Sequence, residues 1–152
     1  MQRQDRVETV VEFKEQTYQR ASGALEGITE EELLWRPIPE MNTAGKILRH
    51  MARISLVLLP QVVEGTTTGS WDDDYEQSEH SLPEMLSDLE AGRVKVLKGL
   101  QGLEERSLMV EIPLWGGIHR RAEGINMLVS ELVYHAGQIA LLRGAYSRMK
   151  KN

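Results

Sequence analysis

The chain has 152 residues, a formal net charge of −5 and no cysteine, and 41% of its residues are hydrophobic and 27% charged. This length predicts a single domain over residues 1–152 that can bury a core without disulfide bonds. The absence of cysteine excludes disulfide scaffolds, thiolate zinc sites, iron–sulfur clusters and a cysteine nucleophile, and the acidic balance argues against nucleic acid as a partner.

The amino-terminal part of the chain predicts one long and one short helix. Apolar residues at three- and four-residue spacing predict the first from about Arg6 to Leu25, and Asp5 with Glu8 can cap its start. A short capped turn over residues 29–34 follows. The two prolines of the segment 35–39 then force an extended excursion.

A second helix and a long connection follow. The pair Asn42-Thr43 predicts a cap for a helix from about Ala44 to Val63, and the segment from Glu64 to Ser81 has no apolar periodicity. Within this connection, Trp71 and the acidic run Asp72–Asp74 are predicted to be solvated. The alternatives are that they form part of a mouth over the helices or a second cation site.

The carboxyl-terminal half predicts two more long helices. Ser81 and Glu84 form a capping box for a third helix that should run to about Glu105. Residues 108–117 alternate weakly and predict a short extended segment or small hairpin, and the last helix should span about residues 124–150. The predicted fold class is therefore all-α, a four-helix bundle with a long crossover between helices 2 and 3.

The sequence predicts a cytoplasmic protein that does not enter a membrane. The first residues do not form the apolar run of a secretory signal. The segment from Ile54 to Val63 is the longest strongly apolar one, and it is far shorter than the roughly 20 residues that span a bilayer.

Three residues have the spacing of a metal site. Glu131 and His135 are four residues apart on the last helix and can converge on one ion, and Gln138 continues their face. His50 lies beside the apolar stripe of the second helix. Two histidines and a carboxylate match both a catalytic zinc site and the facial triad of non-haem iron. The alternative is a core histidine together with an ordinary helical ion pair.

Two segments, Trp35–Pro37 with Asn42–His50 and Tyr134–Gly144, resemble the DinB/YfiT-like superfamily of metal-binding four-helix bundles. Many members bind a divalent ion through one histidine on the second helix and a His-x-x-x-His pair on the last. Here Glu131 replaces the first histidine of that pair. This departure resembles the branch that includes mycothiol-dependent maleylpyruvate isomerase. The resemblance therefore implies His50, Glu131 and His135 as metal ligands.

Other side chains have two interpretations each. Arg143, eight residues after His135, is either an anchor for a substrate carboxylate or an ion-pair partner. Gln138 is a second candidate for substrate binding. Tyr18 and Tyr134 either donate a hydrogen bond into the pocket or pack with a wet hydroxyl. The remaining histidines, which lie in connections and are expected to be solvated, are His80 and His119.

The resemblance implies a metal-dependent transferase that acts on a small-molecule substrate with a low-molecular-weight thiol, and a related hydrolase is the close variant. Nickel, zinc and iron all accept such ligands. Because the chain has no cysteine, the thiol must come from outside it. The alternative function is a non-catalytic metal- or ligand-binding bundle related to stress. The resemblance also implies a homodimer.

Overall fold

The computed structural model describes the backbone of residues 2–152 and the side chains from Glu8 onwards. The predicted cap at Asp5 lies outside the described side chains. The elements, in chain order, are α1 (Gln2–Leu25), α2 (Glu30–Leu34), α3 (Ala44–Arg53), a π-helical segment (Ile54–Leu58), α4 (Leu59–Glu64), a 3-10 turn (Tyr75–Gln77), α5 (Leu82–Gln101), α6 (Glu105–Leu108), β1 (Glu111–Leu114), β2 (Gly117–Arg120) and α7 (Arg121–Lys151).

Side-chain caps fix the starts of three helices at the positions that the sequence predicts. The Thr29 hydroxyl accepts a hydrogen bond from the Glu32 amide at the start of α2, and the Ser81 hydroxyl accepts one from the Glu84 amide at the start of α5. The Thr43 hydroxyl caps α3 in the same way. Each cap satisfies a backbone donor that has no partner within its helix, which stabilises that start by about 1 kcal/mol.

The long helices enclose one core. Helix α1 contacts α5 and α7, and α3 contacts the same two helices. The largest fully buried apolar side chains of the described part are Tyr18, Leu48, Met51, Ile54, Leu59, Leu114, Ile125, Leu132 and Ile139. Burial of each such side chain contributes roughly 1.5–3 kcal/mol, so this core is the main source of stability.

The predicted hairpin is present, as a small two-stranded sheet in a mostly helical fold. Strands β1 and β2 pair in antiparallel fashion, with Glu111 opposite Arg120 and Leu114 opposite Gly117. Ile112 and Leu114 are buried, while their neighbours in β1 are more exposed, which is the alternation expected of a strand with one face on the core.

The predicted second helix is interrupted by the π-helical segment. Pro60 has no amide hydrogen, and its ring would clash with the carbonyl four residues earlier in a regular α-helix. The wider turns of Ile54–Leu58 accommodate that proline. Ser55, within this segment, is fully buried, and its hydroxyl donates to the carbonyl oxygen of Leu89 at 2.8 Å.

The last two long helices differ from their predicted bounds. Helix α5 ends at Gln101, before Gly102, and a separate short helix occupies Glu105–Leu108. Helix α7 begins at Arg121, where the Glu123 carboxylate accepts a hydrogen bond from the amide of Arg120. By length and composition α7 would suffice for a membrane span, but core helices have the same composition, and eight of its residues are buried.

Candidate metal centre

Helices α3 and α7 bring His50, Glu131 and His135 together. One donor atom from each residue lies within 4.8 Å of the other two. The Nε2 atom of His135 lies 3.2 Å from the Oε2 atom of Glu131, and Nε2 of His50 lies 4.0 Å from the same oxygen. The two imidazole rings are 4.9 Å apart and almost perpendicular. The three residues that the sequence predicts as ligands are thus clustered.

Hydrogen bonds at the far side of each ring set the orientation of the two imidazoles. The Nδ1 atom of His135 donates to the Oε1 atom of Gln138 at 2.7 Å, and Nδ1 of His50 donates to the carboxylate of Glu76. In the tautomer in which Nδ1 is the donor of these hydrogen bonds, the lone pair of each ring is on Nε2. Both Nε2 atoms are therefore free to act as ligands, in the arrangement that second-shell acceptors give to metal-binding histidines.

The cluster fits a divalent cation. Two neutral imidazole lone pairs and the Glu131 carboxylate face one another, and no Lys or Arg of the described residues forms an ion pair with that carboxylate. Three acceptors at such distances repel one another unless a cation or an added proton lies among them. Nitrogen and carboxylate oxygen suit nickel, zinc and iron alike. The Glu131 side chain is 50% exposed, so the centre is open to solvent on that side.

Glu76 supports this centre, although the sequence analysis did not identify it. It lies in the 3-10 turn of the long connection. The Nη1 atom of Arg53 donates to its Oε2 atom at 3.1 Å, and Nη1 of Arg49 donates to its backbone carbonyl at 3.1 Å. Its other carboxylate oxygen accepts the hydrogen bond from His50. An acidic residue in an unusually long loop after the His50 helix was the available signal.

The prediction that the acidic run is solvated is wrong for Asp73. Its carboxylate accepts hydrogen bonds from Nε and Nη2 of Arg53 at 2.9 and 3.0 Å, while Asp72 and Asp74 are exposed. Burial opposes ionisation of Asp73, but these hydrogen bonds outweigh it and hold the pKa of the carboxyl below its usual value. The connection is therefore bound to α3 by ion pairs.

The prediction that His80 is solvated is also wrong. Its ring stacks on the buried ring of Tyr75 with centroids 4.0 Å apart, and its Nε2 atom bonds to the Tyr75 carbonyl at 2.9 Å. The Tyr75 hydroxyl donates to Asp88 on α5, and burial together with this carboxylate raises the pKa of that hydroxyl. His119 lies on β2, half-buried and edge-on to Trp115. Among the described residues, neither of these histidines joins the cluster.

A cavity of about 340 Å³ opens beside His50 and Glu131. Its apolar lining comes from the π-helical segment, the connection, the hairpin turn and α7, namely Ile54, Leu58, Trp71, Trp115, Met127 and Leu128. Trp71 was predicted to be solvated, with a mouth over the helices as the alternative. It is half-buried and lines this cavity, which favours the alternative.

Arg143 lies away from the centre. Eight residues of α-helix, about 12 Å, separate it from His135. Its Nε atom donates to Oε1 of Glu32 at 2.9 Å, and its Nη1 atom donates to the carbonyls of Ala24 and Glu26, each at 2.9 Å. These contacts connect α7 to α2 and favour the ion-pair alternative. The other predicted substrate contact, Gln138, is adjacent to the centre.

The two tyrosines differ in environment. Tyr18 is fully buried, and its hydroxyl lies 3.0 Å from the Ser55 hydroxyl, so it packs in the core with a paired and not a wet hydroxyl. Burial raises the pKa of Tyr18 to about 12. Tyr134 is 63% exposed, and its ring lies edge-on to that of His135 at 5.2 Å.

Comparison with known proteins identifies the family of the chain and solved structures with a similar fold. The family model described as the DinB superfamily matches residues 14–139 of the chain. Six solved chains match it significantly, among them a DinB-like protein from Bacillus cereus ATCC 10987. The two sequences are 16% identical, and the structures superpose with a TM-score of 0.69 over 86% of each chain. This similarity is one of fold. None of the curated proteins matches the chain significantly.

Proposed function

Because the chain belongs to the DinB superfamily, we propose that it is a divalent-metal-dependent enzyme that transfers a low-molecular-weight thiol to a small electrophilic substrate. Hydrolysis is the close variant. The observation that carries the proposal is the convergence of His50, Glu131 and His135, whose three ligand atoms face one another without a Lys or Arg from the described residues. In this proposal the four long helical segments form a four-helix bundle around the centre.

A bound divalent ion at this centre supplies stabilisation of the deprotonated form of a thiol or of water at neutral pH. His50 and His135 present their Nε2 atoms because Glu76 and Gln138 hold the opposite sides of the rings. The exposed side of Glu131 leaves room for a substrate to approach. In the transfer, the thiol loses its proton to solvent, its sulfur bonds to the electrophilic carbon, and the leaving group departs with its electron pair.

The thiol is a separate substrate in this proposal, because the chain has no cysteine. We assign the reaction to the cytoplasm, where low-molecular-weight thiols are kept reduced. The metal is nickel, zinc or iron, since the ligand types suit all three.

A homodimer is part of the proposal. Helix α7 exposes a large apolar side chain every seven residues, at Met127, Tyr134 and Leu141, each more than half exposed. Residues at this spacing lie on one face of a helix. A face of this kind supports pairing with a second copy, and the sedimentation coefficient of the purified chain tests it.

The test begins with protein that carries no histidine tag and has not contacted a nickel column. We expect about one equivalent of a divalent metal per chain, and conjugation of a small thiol to an electrophile such as monochlorobimane. The variant His135→Ala should lose both the metal and the conjugation. His119→Ala removes a histidine outside the cluster and is the matched control for metal content.

Two results would contradict the proposal. Full metal content in His135→Ala would show that the ion binds elsewhere. Stoichiometric metal without conjugation or hydrolysis, across thiols and electrophiles of several classes, would favour the non-catalytic binding function.

A further inference from the structure

We propose that the cavity beside the metal centre binds the electrophilic substrate, the partner of the thiol. We propose further that this substrate is an uncharged molecule with a flat apolar group. The inference rests on the proposed function, because it supplies the substrate class for the same centre. Three observations carry it: the apolar lining, the use of the local cation within the protein, and the backbone conformation of Trp115.

The lining is apolar and of ligand size. Six apolar side chains from four separate elements surround the cavity, and two of them are the indoles of Trp71 and Trp115. The volume of about 340 Å³ lies at the lower end of the range for small-molecule sites, about 300–1,000 Å³. The polar residues that line it are His50, Arg53 and Glu131, two of which are candidate metal ligands. A bound molecule would thus place an apolar part against the indoles and its reacting end at the metal ligands.

The charges around the cavity argue against an anionic substrate. Among the described residues that line the cavity, Arg53 is the one Lys or Arg. All three of its nitrogens already donate to Asp73 or Glu76, so these two carboxylates neutralise the guanidinium charge within the protein. The carboxylates of Asp73, Glu76 and Glu131 carry three negative charges, and Arg53 carries one positive charge. A divalent ion would balance the remaining two negative charges without a surplus. An additional anion would find no unpaired Lys or Arg among the described residues that line the cavity.

Trp115 adopts a conformation that favours a functional role. It occupies the first position of the two-residue turn between β1 and β2, where its φ is 49°, and Gly116 follows with φ 74°. Two successive positive φ values are typical of a type I′ turn, which prefers Asn, Asp or Gly. A bulky side chain in this region costs of order 1 kcal/mol or more. The hairpin tolerates that cost at the position that brings an indole to the cavity.

Trp71 is tied to the metal centre through the connection. It precedes Asp73 by two residues and Glu76 by five, and these residues bind Arg53 and His50. Its half-buried ring packs against the core. The contacts that orient the His50 imidazole therefore also position this wall of the cavity.

The experiment compares benzyl alcohol with benzoate, two probes of similar size that differ in charge. Binding to the metal-free full chain is measured by saturation-transfer NMR, so that a failure of metal binding does not affect the result. We expect benzyl alcohol to bind at least tenfold more tightly than benzoate. In Trp115→Asn the affinity for benzyl alcohol should fall at least threefold, while the melting temperature stays equal or rises, because Asn adopts positive φ more readily.

Matched variants complete the design. Trp35→Phe changes an indole that packs against Tyr146, outside the cavity, and should leave the affinity unchanged. Trp71→Leu tests the second wall independently of the hairpin and serves if Trp115→Asn fails to fold. Equal binding of benzoate and benzyl alcohol, or unchanged affinity in a folded Trp115→Asn or Trp71→Leu, would overturn the inference.

Discussion

Both halves of helix α7 contain charged and polar residues, but the two halves differ in how those charges are paired. In the first half, Glu131 and His135 face His50 of α3, and no Lys or Arg among the described side chains pairs with the Glu131 carboxylate. Toward the carboxyl end, Arg143 pairs with Glu32 at 2.9 Å, and Lys150 pairs with Glu31 at 3.0 Å. One half therefore has a carboxylate without a paired Lys or Arg among the described residues, and the other has matched charges.

This difference separates a binding site from a structural contact. A matched ion pair reaches its lowest free energy within the protein alone, so its removal should change stability. A cluster of acceptors is stabilised by a bound cation or by an added proton, so its removal should change ligand binding and leave the metal-free stability nearly unaltered. Variants in each half of α7 can test this distinction.

The largest effect is expected for Glu131→Gln in the first half. At a zinc concentration of a hundred times the Kd, binding stabilises the wild-type chain by about 2.7 kcal/mol. For a chain of this size that corresponds to a rise in Tm of roughly 5–10 °C. Glu131→Gln should lose most of this rise, because an amide lacks the charge that binds the ion. Thermal unfolding with and without zinc measures it.

The metal-free Glu131→Gln chain supplies the control. Its side-chain amide can donate to the Nε2 atom of His135, which replaces a contact between two acceptors by a hydrogen bond. We therefore expect its metal-free Tm to equal or exceed that of the wild type. A metal-free variant that is clearly less stable would show that Glu131 has a structural role like that of Glu32.

A smaller effect is expected for Gln138→Leu, which leaves all three ligands in place. Its Oε1 atom fixes the ring of His135 through Nδ1, and loss of such a second-shell acceptor typically lowers metal affinity about 10–100-fold. Isothermal titration with zinc measures the change. Gln138→Glu retains an acceptor and should restore most of the affinity. Unchanged affinity in Gln138→Leu would mean that packing alone orients the ring.

In the second half, Arg143→Ala should reduce stability without affecting metal binding. The pair with Glu32 is mostly buried, with side-chain exposures of 23% and 12%. Its loss should cost about 1–2 kcal/mol, between the values for exposed and for fully buried pairs. Urea denaturation measures the cost, and zinc titration should give the wild-type affinity. A lower zinc affinity would instead favour a functional role for Arg143.

Local signals in the sequence predict those parts of the fold that local contacts determine. The caps at Thr29, Thr43 and Ser81 involve residues three apart, so the sequence alone locates the starts of α2, α3 and α5. The connection, in contrast, is held by contacts between residues 20 or more apart, such as Arg53 with Asp73. No apolar periodicity indicates such contacts, which explains why this segment was predicted to be solvated.

The same distinction applies to the candidate site. Glu131 and His135 lie four residues apart on one helix, so spacing alone predicts that they meet. Glu76 reaches His50 across 26 positions of the chain, which spacing does not reveal. For Arg143, spacing suggested a contact that is not made. Its place eight residues after His135 suggested a substrate contact, but tertiary packing brings it to Glu32.

The smallest effect concerns the pH dependence of the matched half. Burial opposes ionisation of Glu32, but hydrogen bonds from Arg143 and Thr29 outweigh it and lower the pKa of the carboxyl. A carboxyl with a lowered pKa in the folded state stabilises the protein fully above its unfolded pKa, about 4.3, and this stabilisation is lost as the pH falls through the folded value. The free energy of unfolding of the wild type should therefore fall on acidification below about pH 5 more steeply than that of Glu32→Gln.

The variant Glu30→Gln, an exposed change on the same turn, is the control and should keep the wild-type slope. Equal slopes for all three chains would show that the Arg143 pair contributes nothing to acid sensitivity, and the contrast between the two halves of α7 would then rest on metal binding alone.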